Sequence, residues 1–342
     1  MKHARPLSCL LALCALVLSL AGCAGQKPPT FRIGVALYSQ EDTFIASVAR
    51  ELDRLAKEEE KTRGIKLNLS MVDAGRSQSV QNEQVDRFLN QGYDVICVNI
   101  VDRTAAAVIV DKAQQAQVPV IFFNREPVQE DLDRWEHAYY VGARAEQAGR
   151  MQGQLVLQAW RENRRELDLN SDGVLQYVML EGEPGHQDTL LRSEYSVKTL
   201  QTNGVQLERL GNYSADWQRG KAGVKMGQWL TEFPGQIEAV LSNNDDMALG
   251  ALDAWAAADP GTPLPLIVGV DATGEAVEAI RQGYMTGTVR NDVAGQAGEI
   301  MELSTALLAR EPLDEVVNLV EDHYIWLEYS PVCAETLPPE ES

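Results

Sequence analysis

From Asp168 the chain reads Asp-Leu-Asn-Ser-Asp-Gly-Val-Leu-Gln. This places side-chain oxygens at Asp168, Asn170, Asp172 and Gln176, a backbone carbonyl at Val174, and Gly173 where a tight turn is needed. A hard cation such as calcium takes roughly six to eight oxygens, which alternate residues supply as the chain wraps the ion. An EF-hand loop would end on a bidentate glutamate at its twelfth position, but Met179 stands there, so another carboxylate must close the shell. A little further on, Glu-Gly-Glu-Pro-Gly-His-Gln-Asp-Thr-Leu-Leu-Arg sets His186, Asp188 and Arg192 directly after an apolar run. Taken alone, a polar run of this kind is as much a turn or helix cap as a binding site.

The elements that position these residues follow from apolar periodicity. FRIGVALY, a helix over about 43–61 and IKLNLSMVD are followed by a helix near 79–91, YDVICVNIV, a helix near 105–117 and VPVIFFN. The alternation restarts at HAYYVGA with a long helix over about 145–163, then VLQYVMLEG, VQLERLG, IEAVLSNND and LPLIVGVDA, each separated by a helix. Strands alternating with amphipathic helices predict a doubly wound parallel sheet, and two successive rounds predict two α/β lobes with a cleft between them. Ligands in such sheets sit beyond the carboxyl ends of the strands. Asp42, Asn99, Asn124, Asn244, Asp271 and Asn291 all stand at or just after strand ends. No strand leads into a Gly-x-Gly-x-x-Gly or Walker sequence, so a nucleotide enzyme loses its main support.

The formal charge of −20 opposes binding to nucleic acid or to an anionic membrane surface. At the N-terminus, Lys2 and Arg5 precede PLSCLLALCALVLSL, the length of a signal segment and short for a membrane span. It ends in Leu20-Ala21-Gly22-Cys23, which resembles a bacterial lipobox, so Cys23 is expected to carry lipid and become the first mature residue. Of the five cysteines, Cys9 and Cys14 leave with the signal, and Cys97 and Cys333 remain without a disulfide framework. Cys97 reads as a small core residue, and whether it meets Cys333 is open.

Taken together, RIGVALY with DTF, VNIVDRTAA, VIFFNREP, AYYVG, DLNSDG, EGEPGHQD with Arg192, NND, GVDA and GTVRND resemble the periplasmic glucose/galactose-binding proteins. These are the receptor components of ABC sugar importers, and the matching segments span essentially the whole mature chain. The resemblance implies a type I periplasmic binding protein fold in which Phe44 and Trp217 sandwich a pyranose ring. Chemistry agrees, because a hexose offers apolar CH faces to aromatic rings and a hydroxyl edge to polar groups. Around that edge the resemblance implies Asp42, Asn99, His186, Asp188, Arg192, Asn244, Asp271 and Asn291, with Asn124 at the rim only. It also implies that Glu238 supplies the missing calcium ligand, which completes a structural shell of Asp168, Asn170, Asp172, the Val174 carbonyl, Gln176 and Glu238.

The same resemblance implies a hinge crossed near 141–145, 290–293 and 326–330. The expected organisation is a signal segment 1–22, a linker 23–30, an N-terminal lobe 31–141 plus 293–326, and a C-terminal lobe 145–289 plus 330–342 carrying the calcium loop at 168–176. The implied partners are D-glucose or D-galactose, the membrane subunits of an ABC importer, a possible chemoreceptor, and the membrane through lipidated Cys23. A monomer on the extracytoplasmic face is expected. The first alternative is a sugar-sensing receptor of the same fold that presents hexose to a chemoreceptor or signalling partner, and the second, from a different class, is an extracellular glycosidase using Asp42, Asp188 or Asp271 as acid and base. The glycosidase is disfavoured because each carboxylate can be assigned to a ring hydroxyl and none is singled out for a raised pKa. A cytoplasmic repressor is disfavoured by the signal segment. Two departures from the usual family pattern, SQED before Thr43 and Arg290 beside Asn291, mark places where the cleft rim could be altered.

Overall fold

The computed structural model describes residues 29–337; the signal segment, Cys23, most of the linker and the end of the acidic tail lie outside the described residues. The N-terminal lobe is built on a parallel sheet of β1 (Thr30–Leu37), β2 (Lys66–Asp73), β3 (Val95–Val98), β4 (Val120–Phe123), β5 (Ala138–Ala143) and β11 (Tyr324–Leu327). Its order is β11-β5-β4-β3-β1-β2. Helices α1 (Thr43–Arg63), α2 (Gln78–Asn90), α3 (Ala106–Ala116) and the short α4 (Gln129–Leu132) connect the strands. The C-terminal lobe repeats the plan: α5 (Ala145–Leu167), β6 (Val174–Glu181), α6 (Gln187–Thr202), β7 (Gln206–Ser214), α7 (Arg219–Glu232), β8 (Ala239–Ser242), α8 (Asp245–Ala258), β9 (Leu266–Val268) and α9 (Gly274–Arg281). Its parallel sheet runs β7-β6-β8-β9.

In each lobe the second strand lies outside the first and the third lies on its other side, so the order reverses between β1 and β3 and again between β6 and β8. The helices leaving those strands diverge to opposite faces and open a crevice at the strand ends. Both faces are covered at the middle of each sheet, so the inner strands β3, β4 and β8 are buried throughout and read as apolar runs, whereas the edge strands β2 and β7 carry polar residues and are largely exposed or half-buried. Val95 and Cys97 enter the core beneath α1, while Ile96 and Val98 enter the core beneath α2 and α3. Gly34 serves this packing: a Cβ there would stand 2.6 Å from the Phe88 ring.

The chain passes from β5 to α5, from β10 (Thr288–Arg290) to α10 (Val293–Ala309), and from β11 to β12 (Ser330–Val332). α10 returns to pack on α1 and on the N-terminal sheet, and the short α11 (Leu313–Val316) follows it. β10 and β12 form a separate antiparallel pair, so two of the passages are tied to each other. Cys97 and Cys333 lie in different lobes as free thiols; burial pushes the Cys97 thiol up to about 12. Among the described residues no helix is long and apolar enough to cross a membrane.

Candidate functional site

The two crevices face each other across a small cleft lined by residues of both lobes. From the N-terminal lobe Asp42 caps α1, accepting the Ile45 N–H at 2.9 Å through Oδ1 and the Tyr38 hydroxyl at 2.5 Å through Oδ2. Tyr38 is buried, and the Arg125 guanidinium lies 3.5 Å above its ring centroid. Burial and the Asp42 carboxylate together raise the Tyr38 hydroxyl, so it remains a donor. Phe44, one residue inside α1, supplies an apolar wall.

Asn99 does not reach the cavity. It is fully buried behind it and donates to Phe123 O at 3.1 Å and to Asn124 Oδ1 at 3.3 Å. Asn124, read from sequence as a rim residue, lines the cavity in its place, because a φ of 63° turns it out of line with β4. Asparagine tolerates this left-handed conformation, which is a physical reason for its type there.

The C-terminal lobe contributes six lining residues foreseen as ligands: His186, Asp188, Arg192, Trp217, Asn244 and Asp271, with Asn291 on the second hinge passage. His186 caps α6, and its Nδ1 accepts the Asp188 N–H at 3.1 Å, which leaves Nε2 to carry the proton. Burial, with Arg125, Arg192 and Arg103 nearby, holds the imidazole well below its usual pKa, so it is neutral. Arg192 donates to Asp188 Oδ2 at 2.6 Å, Asn243 O at 2.9 Å and the Tyr329 hydroxyl at 3.0 Å, while its buried Nε has no partner. Asn244 accepts from Met247 N and donates to Trp217 O, so it fixes both the start of α8 and the indole's backbone. Trp217 follows Asp216 with φ of 66° and 52° respectively. Its ring packs so closely over Gly182 that a Cβ there would stand 2.1 Å from Cζ2. Asp271 also has a positive φ, 116°, and accepts from Asn291 Nδ2 at 3.4 Å.

Burial raises the carboxyls of Asp188 and Asp271, the latter strongly, with Arg192 opposing in both. This differs from the expectation that no carboxyl would be singled out. The cause is common to both: burial disfavours the charged form, and the Arg192 charge offsets it only in part. Arg290, the departure flagged in the sequence, is exposed and lies off the cavity. Sequence reasoning missed Tyr38 and Arg125 as lining residues, although both follow strands and obey the rule that located the others.

At the cavity's edge the lobes are bridged directly. Thr43 Oγ1 donates to Asp246 Oδ2 at 2.6 Å, and Gln187 Nε2 donates to Glu126 Oε2 at 2.8 Å. Glu183 accepts from Arg76 Nη1 through one oxygen and from Arg125 Nη2 through the other, both at 2.9 Å. One carboxylate from the C-terminal lobe thus holds two arginines of the other lobe.

About the loop after α5, Asp168 Oδ2 accepts the Gly173 N–H, and Asp172 accepts from Val174 N, Asn170 Nδ2 and Gln176 Nε2. Glu238, just before β8 and buried, accepts Leu169 N at 2.7 Å and Gln176 N at 2.9 Å. Burial raises its carboxyl against the pull of those N–H groups, and the Asp168 and Asp172 charges add to the rise. Asp168 Oδ1 and Gln176 Oε1 are buried without a partner. Among the described residues no three His, Cys, Asp or Glu side chains alone form a metal-holding group. The donor set here is mixed carboxylate, amide and carbonyl, and its orphaned oxygens and crowded carboxylates fit a hard cation.

Two parallel-sheet lobes that meet around a small cavity lined mainly by polar side chains define a hinged solute receptor. Residues 33–312 match the periplasmic binding protein domain. The D-galactose/methyl-galactoside binding periplasmic protein MglB of Haemophilus influenzae is 39% identical over 299 residues, 87% of this chain and 88% of that one. The ribose import binding protein RbsB of Bacillus subtilis is 26% identical, covering 84% of this chain and 82% of its own. An ABC transporter solute binding protein from Bacillus halodurans, solved with bound myo-inositol, superposes with a TM-score of 0.74 at 25% identity, covering 91% of this chain and 97% of that one. The chain belongs to the periplasmic binding protein family, whose members act outside the cytoplasm.

Proposed function

We propose that the chain is an extracytoplasmic lipoprotein that captures D-glucose and D-galactose between its lobes and delivers them to an ABC importer. The observation that carries this reading is the cavity itself. It combines two carboxyls raised by burial, a guanidinium and an indole with unanswered N–H groups, and two aromatic walls. A neutral ring bearing hydroxyls answers all of these at once, since each hydroxyl both donates and accepts. An ion would answer only one sign. Asp42 retains free lone pairs on both oxygens and accepts from a C4 hydroxyl in either epimer, which accounts for dual specificity. The galactose relative adds support for this ligand class. Anchoring through Cys23 would keep the receptor at the membrane, where its importer works.

Isothermal titration of the soluble form beginning at Ala24, with calcium present, tests the reading. Glucose and galactose bind tightly and ribose and xylose are silent; failure of all four removes the ligand assignment. Incubation with aryl glycosides should release no free aglycone, in keeping with a receptor that catalyses nothing.

The Glu183 bridge can form only when the lobes are together, so it acts on release. Glu183→Gln is expected to speed sugar dissociation about tenfold, with little change in association, as suits a charged hydrogen-bonded pair. The difference shrinks as salt rises, because the bridge is partly exposed and therefore screened. Stopped-flow tryptophan fluorescence reads both rates, and equal dissociation at low salt would rule the bridge out as a contributor to closure.

For the loop at 168–176 we infer a structural calcium ion held by Asp168, Asn170, Asp172, the Val174 carbonyl, Gln176 and Glu238. Bound calcium would answer the orphaned oxygens and relieve the carboxylate repulsion. Glu238→Gln is expected to lower the melting temperature by about 5–10 °C in millimolar calcium and far less in chelator. Wild type and variant melting together in calcium would dismiss the ion.

A further inference from the structure

One fully buried carboxyl has no place in the cleft lining, the bridges at its edge or the calcium loop. Asp245, the first residue of α8, does not line the cleft and pairs with no lysine or arginine among the described residues. Burial pushes its carboxyl up to about 7, against the pull of Thr288 and Thr273. A carboxyl is costly to bury unless its partners compensate.

The partners of this side chain lie on the two segments that carry Asp271 and Asn291. Oδ1 accepts the Thr288 hydroxyl of β10 at 2.6 Å, and Oδ2 accepts the N–H of Thr273, the cap of α9, at 2.8 Å. The same Thr288 hydroxyl accepts the Ala272 N–H at 3.4 Å, so it relays that amide to the carboxylate. The Asp245 N–H donates to Val270 O at 2.8 Å. Gly269 leaves room for this arrangement, since a Cβ there would stand 2.1 Å from Asp245 Oδ1.

These bonds bracket Asp271 and Ala272, which stand at φ of 116° and 54°. Residues with a Cβ disfavour that half of backbone space, so an untethered turn would leave it. The bonds at Val270, Ala272 and Thr273 hold the turn on both sides. The Thr288 bond sets it against β10, beyond whose end Asn291 meets the Asp271 side chain. We propose that Asp245 is a positioning residue for the sugar: without touching it, the carboxylate fixes the turn that aims Asp271 into the cleft and seats that turn against Asn291. The consequence for sugar rests on the hexose reading of the cleft; the hold on the turn does not.

Two variants cut the hold at different points. Asp245→Ala removes both side-chain bonds, and Thr288→Val removes the relay while keeping a β-branched residue in the strand. Hydrogen exchange without sugar, read by mass spectrometry over residues 271–274, is expected to quicken at least about tenfold in both, with β6 and β8 unchanged. Calorimetry with galactose and glucose should show both variants binding about tenfold or more weaker than the wild type. Double-mutant cycles then locate the effect. On an Asp271→Ala background Asp245→Ala should cost less than about threefold, because the side chain it aims is already gone; on an Asp42→Ala background, in the other lobe, it should cost its full amount. Unchanged exchange, unchanged hexose affinity, or an equal cost on the two backgrounds would each overturn the assignment. Should Asp245→Ala fail to fold, Thr288→Val decides on the same terms. If the wild type binds no hexose, the hexose reading falls, while quicker exchange over 271–274 still upholds the hold on the turn and unchanged exchange removes it.

Discussion

Arg192→Met is expected to weaken hexose binding at least about a thousandfold and to lower folding stability by about 3–5 kcal/mol. The two losses have one origin. Arg192 is 3% exposed and is the direct cationic partner of Asp188, which is itself buried. Removing the guanidinium strands that carboxylate in a medium of low polarity, and it also frees the Asn243 carbonyl and the Tyr329 hydroxyl. Titration calorimetry and urea unfolding read the two effects separately. Adding Asp188→Asn to the variant should restore much of the stability and none of the binding. A folded Arg192→Met protein with wild-type affinity would take Arg192 out of the ligand shell.

Trp217→Ala is expected to cost about 2–4 kcal/mol of binding, or roughly thirtyfold to a thousandfold in affinity, as befits a central aromatic anchor. The indole is held in place from several sides: by the Asn244 amide on its carbonyl, by His186 edge-on at 5.1 Å, and by the bare surface of Gly182. Trp217→Phe keeps a flat apolar wall and should recover most of the loss. Gly182→Ala, which touches no ligand, should reproduce much of the alanine effect by pushing the ring from its seat. Calorimetry of the three variants together checks the argument, and an unchanged affinity in Trp217→Ala would remove the aromatic wall from the site.

Most of the lining residues were legible from the chain because a parallel sheet places its ligands by one rule, and Asp42, Asn244 and Asp271 obey it at three strand ends. What the rule does not contain is direction. Asn99 and Asn124 both follow strands, yet the positive φ of Asn124 turns that residue into the cavity and leaves Asn99 bonding to its neighbour from behind. Tyr38 and Arg125 were passed over for a different reason. Their value lies in contact with each other and with Asp42 and Glu183, and such pairings between distant segments leave no local periodicity. The loop at 168–176 was legible because its spacing is the whole signal, whereas Glu238 came from resemblance alone and sits 62 residues from Gln176. The return of α10 to the N-terminal lobe was implied only by the expected hinge.

The bridges at the cleft edge also make the gap between the lobes a gauge. Thr43 meets Asp246, Gln187 meets Glu126, and Glu183 meets both of its arginines at one separation of the lobes. A ligand too bulky for the cleft at that separation could still touch Arg192 or Trp217, but it would hold the lobes a few ångströms apart and leave these bonds unmade, because hydrogen bonds weaken steeply over that distance. Affinity and lobe spacing are thus separate outputs of one molecule, and a partner that grips both lobes together can discriminate by caliper, without contacting the sugar.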